Sequence, residues 1–441
     1  MPRAHAAILG IAVLLGGAAC KRSQPAARVD LTEARALALA APGGDGPVDR
    51  DLLSIQERLR QSPVAGDWVL LGHTWIQKAR RGGDPGLYLA ADGAATMALS
   101  LEPHHTGALG LRGRVLLNQH AFSEARRQAG ELLAQAPDDV LALATVSDAA
   151  LELGDIRGAL EASQRLVDVK PGLASYGRAA HLRWVTGDVT GAKRLYALAI
   201  EAGRGARDPE PLAWMLVQAA AVFWSEGDLD GALAGAEQAL LAIPGYAPAL
   251  VLEARCRLAR GDPEAASVLL QRALATQPLV ETAWLLADAR TLAGDRTGAA
   301  AAEARVVRDG RQGDALILGS FLASRGRDLD EALRLLEAEH RARPGLAVED
   351  AYAWALHRAG REVEARAAVE RALAHGTPDP RFLFHAGAIR LAQGDREAGT
   401  ALVRRALALN PAFDPLSVTE ARALLRDAGA EAALRTEPRS R

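Results

Sequence analysis

Through most of the chain, alanine- and leucine-rich blocks carry apolar residues at three- and four-residue spacings, the stripe of an amphipathic helix. Prolines end these blocks at Pro103, Pro137, Pro171, Pro244, Pro278, Pro344, Pro378 and Pro411. Where these prolines are one unit apart, the steps are 34, 34, 34, 34 and 33 residues; the gaps of 73 and 66 each hold two units. A second marker runs in phase: Gly154-Asp155, Gly187-Asp188, Gly227-Asp228, Gly261-Asp262, Gly294-Asp295 and Gly394-Asp395. Gly326 and Gly360 continue it without the adjacent aspartate. Five residues after these glycines stand Ala159, Ala192, Ala232, Ala266, Ala299 and Ala365, with Ala332 one residue later and Gly399 in the last unit.

The physical reading is direct. Glycine tolerates the left-handed backbone that ends one helix, and aspartate caps the next. The small residue lets the second helix lie close to the first, and proline stops it. One such hairpin cannot bury its own apolar face, so neighbours must stack. The expected fold is all-α, a solenoid of about ten helix hairpins over residues 65–411. The segment 31–64 is expected to form N-terminal capping helices around a Gly/Pro loop. Residues 412–441 are expected to form a C-terminal capping helix and a polar tail. The first hairpin has about seven extra residues near Arg80 to Pro85, for which a longer turn is expected.

Residues 1–20 follow a different pattern. Arg3 precedes an apolar run from Ala6 to Ala19, 14 residues long and short of the ~20 a membrane-spanning helix needs. The run ends Leu-Leu-Gly-Gly-Ala-Ala-Cys at Cys20. This segment reads as an export signal, and 21–30 as a polar tether. Its end resembles the lipobox of bacterial lipoproteins, although Gly17 stands where leucine is usual. The resemblance implies lipidation at Cys20 and an exported, envelope location, on the outer membrane facing the periplasm. Cleavage after Ala19 without lipidation and an uncleaved anchor are the alternatives.

The repeat resembles the tetratricopeptide repeat. Trp68, Leu71-Gly72 and Trp75 match the first-helix signature in order. Phe223, Ala232, Ala239 and Pro244 match within one unit, and Ala192, Tyr196 and Ala199 within another. The resemblance implies a right-handed superhelix whose first helices line a concave groove. Trp68 and Trp75 fall on core positions. The other five tryptophans, Trp184, Trp214, Trp224, Trp284 and Trp354, fall on the groove stripe, as do Phe384 and the charged residues Arg114, Arg255 and Asp288. Asp148, His181, Glu281, Asp350 and Arg381 share that stripe and are read, with the other charges, as mostly a solvated face. Tryptophan dominates protein-recognition hot spots because it buries much area at low entropic cost. The alternative is ordinary packing between repeats.

Composition narrows the function. The 441 residues are 49% hydrophobic and 24% charged with a formal net charge of −2, so the basic footprint of nucleic-acid binding is missing. Two cysteines make no disulfide framework, and Cys256 reads as a buried small hydrophobe. No P-loop, dinucleotide fingerprint, HExxH helix or nucleophile elbow occurs. His104-His105 reads as a surface turn and Asp138-Asp139 as a helix start. His357 and His385, on neighbouring first helices, would need further ligands to hold a metal. No catalytic residue, metal or cofactor is assigned. The expected function is a non-catalytic scaffold that binds a partner protein or peptide in the groove. A small-ligand or glycan receptor, with tryptophans stacking on sugar rings, is the alternative, followed by an enzyme accessory subunit.

Overall fold

The computed structural model describes residues 30–82 and 84–429. The lipobox-like segment with Cys20, nearly all of the tether and the polar tail lie outside the described residues. Among the described residues there are 23 α-helices and no strand. In order they are α1 (Leu31–Ala38), α2 (Pro47–Gln61), α3 (Ala65–Gly82), α4 (Leu87–Leu101), α5 (Thr106–Asn118), α6 (Phe122–Gln135), α7 (Val140–Glu152), α8 (Ile156–Val169) and α9 (Leu173–Val185). Next come α10 (Val189–Gly203), α11 (Glu210–Ser225), α12 (Leu229–Ala242), α13 (Ala247–Ala259), α14 (Pro263–Thr276), α15 (Val280–Leu292) and α16 (Arg296–Gly313). The last are α17 (Ala315–Arg325), α18 (Leu329–Ala342), α19 (Leu346–Arg358), α20 (Glu362–Leu373), α21 (Pro380–Ala392), α22 (Arg396–Leu409) and α23 (Ser417–Asp427). No helix among the described residues is long and apolar enough to cross a membrane.

The Gly-Asp turns work as their chemistry requires. Gly187 and Gly227 hold φ of +83° and +73°, which a side chain would strain. Each following aspartate accepts the main-chain N–H three residues on. The distances are 2.9 Å at Asp155, 2.8 Å at Asp188, 2.9 Å at Asp228, 3.1 Å at Asp262, 2.8 Å at Asp295 and 3.3 Å at Asp395. After Gly360 the cap position is Arg361, which makes no side-chain cap. Ala159, Ala192, Ala232, Ala266, Ala332 and Ala365 are fully buried, so the helices of each hairpin approach closely at the small residue.

Two connections differ from expectation. The extra residues of the first hairpin extend its helix rather than its turn: α3 has 18 residues and runs to Gly82. The sequence there, Gln-Lys-Ala-Arg-Arg, is made of good helix formers with nothing to stop them. Likewise α16 has 18 residues, because no proline closes this second helix where its neighbours have one.

The chain divides into two compact units, residues 30–179 with 312–314, and residues 180–311 with 315–429. In the first, Leu52, Ile55 and Leu59 of α2 and Ala38 of α1 pack with Trp68, Leu71 and Trp75 of α3. The Trp75 indole donates to the Ala38 carbonyl at 2.9 Å, and Gln56 donates to the Ala40 carbonyl at 2.9 Å. Thus α1 and α2 cover the apolar face that the first hairpin would otherwise expose.

In the second unit a continuous core runs from Ala254 through Phe321, Trp354 and Phe384 to Leu425. Here the last turns reach back to the first helices. The Thr377 hydroxyl donates to the Val185 carbonyl at 2.6 Å, across 192 positions of sequence. The Asn410 side-chain amide donates to the Trp224 carbonyl at 2.7 Å, across 186 positions. Both donors immediately precede the prolines that close their repeats, and both are buried, Thr377 at 2% and Asn410 at 0% exposure. The second unit therefore winds until its end meets its beginning, and its first helices face a common interior.

Candidate functional site

That interior is a cavity of about 1050 Å³, its mouth included. Trp184 of α9, Trp224 of α11, Trp284 of α15 and Trp354 of α19 converge on it, with Phe413 from the segment before α23. The two closing hydrogen bonds fix this convergence: Thr377 grips the residue after Trp184, and Asn410 grips Trp224 itself. Trp184 and Trp354 are walls, 1% and 3% exposed, whereas Trp224 and Trp284 are half-buried and meet the open space. Trp354 is held by stacking on His385, with ring centroids 4.2 Å apart and 14° between planes. Trp284 is braced by Phe321 in a T-shaped contact at 5.6 Å, the favourable geometry for two quadrupoles.

The charged lining is uneven. Glu281, Asp288, Asp350, Asp379 and Asp414 line the cavity, against Arg255 and Arg381. Arg255 donates to Glu281 at 2.8 Å. Asp288, 2% exposed, pairs with Arg325, which also donates to Glu303 at 2.8 Å. Asp350 lies 2.9 Å from His385 Nδ1 and 3.8 Å from Arg381 Nε. Asp379 caps α21 through the Arg381 N–H, and Asp414 accepts the N–H of Ser417 at the start of α23. Burial pushes the Asp288 carboxyl up to about 7; Arg325 opposes this, and Asp414 adds to it. Burial also raises Glu281 and Asp379, partly offset by Arg255 and Arg381 respectively. Burial works against the Arg381 charge, but Asp379, Asp350, Glu281 and Asp414 together hold it above the usual range.

Of the residues singled out from sequence, Trp184, Trp224, Trp284, Trp354, Arg255 and Asp288 line the cavity. Three do not. Phe384 is fully buried, packed against Trp354 at 5.5 Å and Phe413 at 5.7 Å, because the segment before α23 lies over it. Trp214, near the start of α11, is half-buried and outside the lining. Arg114 belongs to the first unit, where burial lowers its guanidinium to about 10, with Arg80 and Arg178 adding repulsion. Glu281, Asp350 and Arg381, read among charges that are mostly a solvated face, all line the cavity; Glu281 and Arg381 are half-buried and Asp350 is 2% exposed.

Sequence reasoning missed Asp379, Phe413, Asp414 and Ser417. Asp379, Phe413 and Asp414 lie within three residues after a repeat-closing proline, and Ser417 opens α23, the helix expected only to cap the stack. No local signal marks them, since they reach the cavity only because late turns of the unit meet its early helices. Other readings resolve simply. His105 and Asp139 cap α5 and α7, at 3.2 Å from the Ala108 N–H and 2.8 Å from the Ala142 N–H. His357 pairs with Glu362 at 3.0 Å, not with His385. Cys256 is fully buried, and its thiol is pushed up to about 12, chiefly by burial.

Comparison with known proteins adds the following. No curated protein matches the chain by sequence. Among solved structures, a human IFIT1 dimer with PPP-AAAA is 14% identical, covering 87% of this chain and 95% of its own, with a TM-score of 0.45. The type IV pilus biogenesis factor PilW is 14% identical, covering 46% and 93%, with a TM-score of 0.40. The APC/C hetero-tetramer Cut9-Hcn1 is 13% identical, covering 86% and 93%, with a TM-score of 0.35. Residues 223–289, from α11 to α15 and including Trp224 and Trp284, match the tetratricopeptide repeat family, and the chain as a whole is an all-α helical-repeat protein.

Proposed function

We propose that the chain is a non-catalytic recognition scaffold that takes a segment of a partner protein into the cavity of its second unit. Tetratricopeptide repeats generally mediate protein–protein interaction. The observation that carries the reading is the convergence of four tryptophans from four different first helices on one concave space. Large rigid aromatics in a pocket with a few placed polar groups are the makings of a binding hot spot. The lining carboxylates and arginines are paired with one another or cap helices, an arrangement suited to holding shape and charge rather than to turnover.

The reading extends to location. The run ending at Cys20 supports export and lipid anchoring in a bacterial envelope. Expression in a host with lipoprotein processing, with labelled palmitate, tests this: label is expected on the chain and absent after Cys20→Ser. An unlabelled wild-type chain contradicts it. For the binding role, Trp224→Ala with Trp284→Ala, both half-buried, should abolish capture of the partner identified by crosslinking, while helicity is retained. Unchanged capture by the folded double variant overturns the groove reading.

A further inference from the structure

Resting on that reading of the cavity, we infer that it selects a basic segment of its partner, with an arginine side chain stacked on Trp284 between Glu281 and Asp288. Glu281, Trp284 and Asp288 stand at i−3, i and i+4 on α15, so one helix face presents an indole with a carboxylate one turn to either side. All three line the cavity. A guanidinium suits this array better than other side chains. It stacks on an indole, and its several donors can serve two carboxylates at once.

Charge complementarity decides the sign of the guest. Five carboxylates line the space against two arginines and His385, with Arg325 paired to Asp288 from outside the lining. Both arginines are already committed, Arg255 to Glu281 at 2.8 Å, and Arg381 between Asp350 at 3.8 Å and Asp379 at 3.9 Å. The pairs on Glu281 and Asp288 are single-point contacts, one nitrogen to one oxygen, and leave acceptor capacity on each carboxylate. Burial raises the affinity of Asp288 and Glu281 for protons, so an added cation relieves a cost that burial imposes on both carboxylates. An acidic guest would add to that cost, and a phosphate-rich strand would add more.

The test uses arrays of N-acetylated, C-amidated hexapeptides with one position fixed as Arg, Lys, Gln or Glu and the rest degenerate, probed with the full chain. The Arg-fixed pools should bind roughly tenfold more strongly than the Gln-fixed pools, with Lys between them and Glu at background. Trp284→Ala should abolish binding, and Glu281→Gln and Asp288→Asn should each lower the Arg preference roughly threefold. Glu281 is half-buried, so its variant serves if Asp288→Asn fails to fold. Pools bound without regard to charge, or Glu preferred, with binding still lost in Trp284→Ala, overturn the basic guest and leave the peptide site standing. Binding to no pool, or binding indifferent to Trp284→Ala, overturns both.

Discussion

Asn410 lies fully buried and donates its side-chain amide to the main-chain carbonyl of Trp224 at 2.7 Å, while its carboxamide oxygen accepts the Ala412 N–H at 2.8 Å. One side chain thus ties the last repeat turn to an early helix and sets a wall of the cavity. Asn410→Ala should lower stability by about 1–3 kcal/mol, the cost of leaving such buried groups unpaired. Thr377→Val removes the other closing donor with little change of shape and should cost about 1–2 kcal/mol. Thermal unfolding monitored by circular dichroism gives the loss, and tryptophan fluorescence should shift to the red as the interior opens. Losses within about 0.5 kcal/mol, the range of neutral surface changes, would deny that the closure matters.

Four glycines separate closure from local strain. Gly187, Gly227, Gly261 and Gly294 share the left-handed backbone. A methyl group at Gly261 or Gly294 meets nothing within 4 Å, but at Gly187 it lies 3.0 Å from the Gly376 carbonyl and at Gly227 3.0 Å from the Leu409 carbonyl. Alanine at Gly261 or Gly294 should cost only the backbone strain, about 1–2 kcal/mol. Alanine at Gly187 or Gly227 should cost visibly more and should also redden the fluorescence. Equal losses at all four sites would mean that the contacts across the second unit carry no weight.

The hairpin turns make a simpler prediction. Asp188→Ala and Asp228→Ala each remove an N-cap that accepts a main-chain N–H at 2.8 and 2.9 Å. Each should cost ~1 kcal/mol, whereas Arg361→Ala, at a turn whose cap position makes no side-chain bond, should lose no cap energy. Melting temperatures of the three variants decide it.

Acid should weaken the fold through two histidines. Burial lowers His73 to about 4, with Arg114 adding to it, and burial alone lowers His181 to about 4. Against an unfolded value of ~6.5, their stabilising share is complete above pH 6.5 and is lost as pH falls through 4. Both side chains keep some contact with solvent, which reduces the effect to on the order of 3 kcal/mol for the pair. His73→Gln with His181→Gln should flatten the melting temperature between pH 6.5 and 4.5; an unchanged slope would point elsewhere.

The sequence made the hairpin stack legible because each of its rules is local. Gly-Asp turns, the small residue five positions on and the closing proline all act within one unit, and each recurs in phase. Trp224, Trp284 and Trp354, which counting from that phase puts on the groove stripe, line the cavity. Phe384 obeys the same count yet is covered, because what lies over it comes from beyond the last full repeat. Asp379 and Asp414 were invisible for the converse reason. Each joins the cavity only through curvature accumulated over many repeats, which no local pattern encodes. Helix length where no proline intervenes, as in α3 and α16, was the other omission.

Entry of the partner into the cavity of the second unit can be read by proximity. Photocrosslinking from p-benzoylphenylalanine in place of Ser324, which lines the cavity, tests it against the same probe in place of Leu241 or Val363, which are 83% and 82% exposed. In the native host, one partner species should be trapped from position 324, Trp284→Ala should abolish the adduct, and positions 241 and 363 should trap little of it. Equal trapping from position 241 or 363, or an adduct at 324 that survives Trp284→Ala, would place the partner outside the cavity.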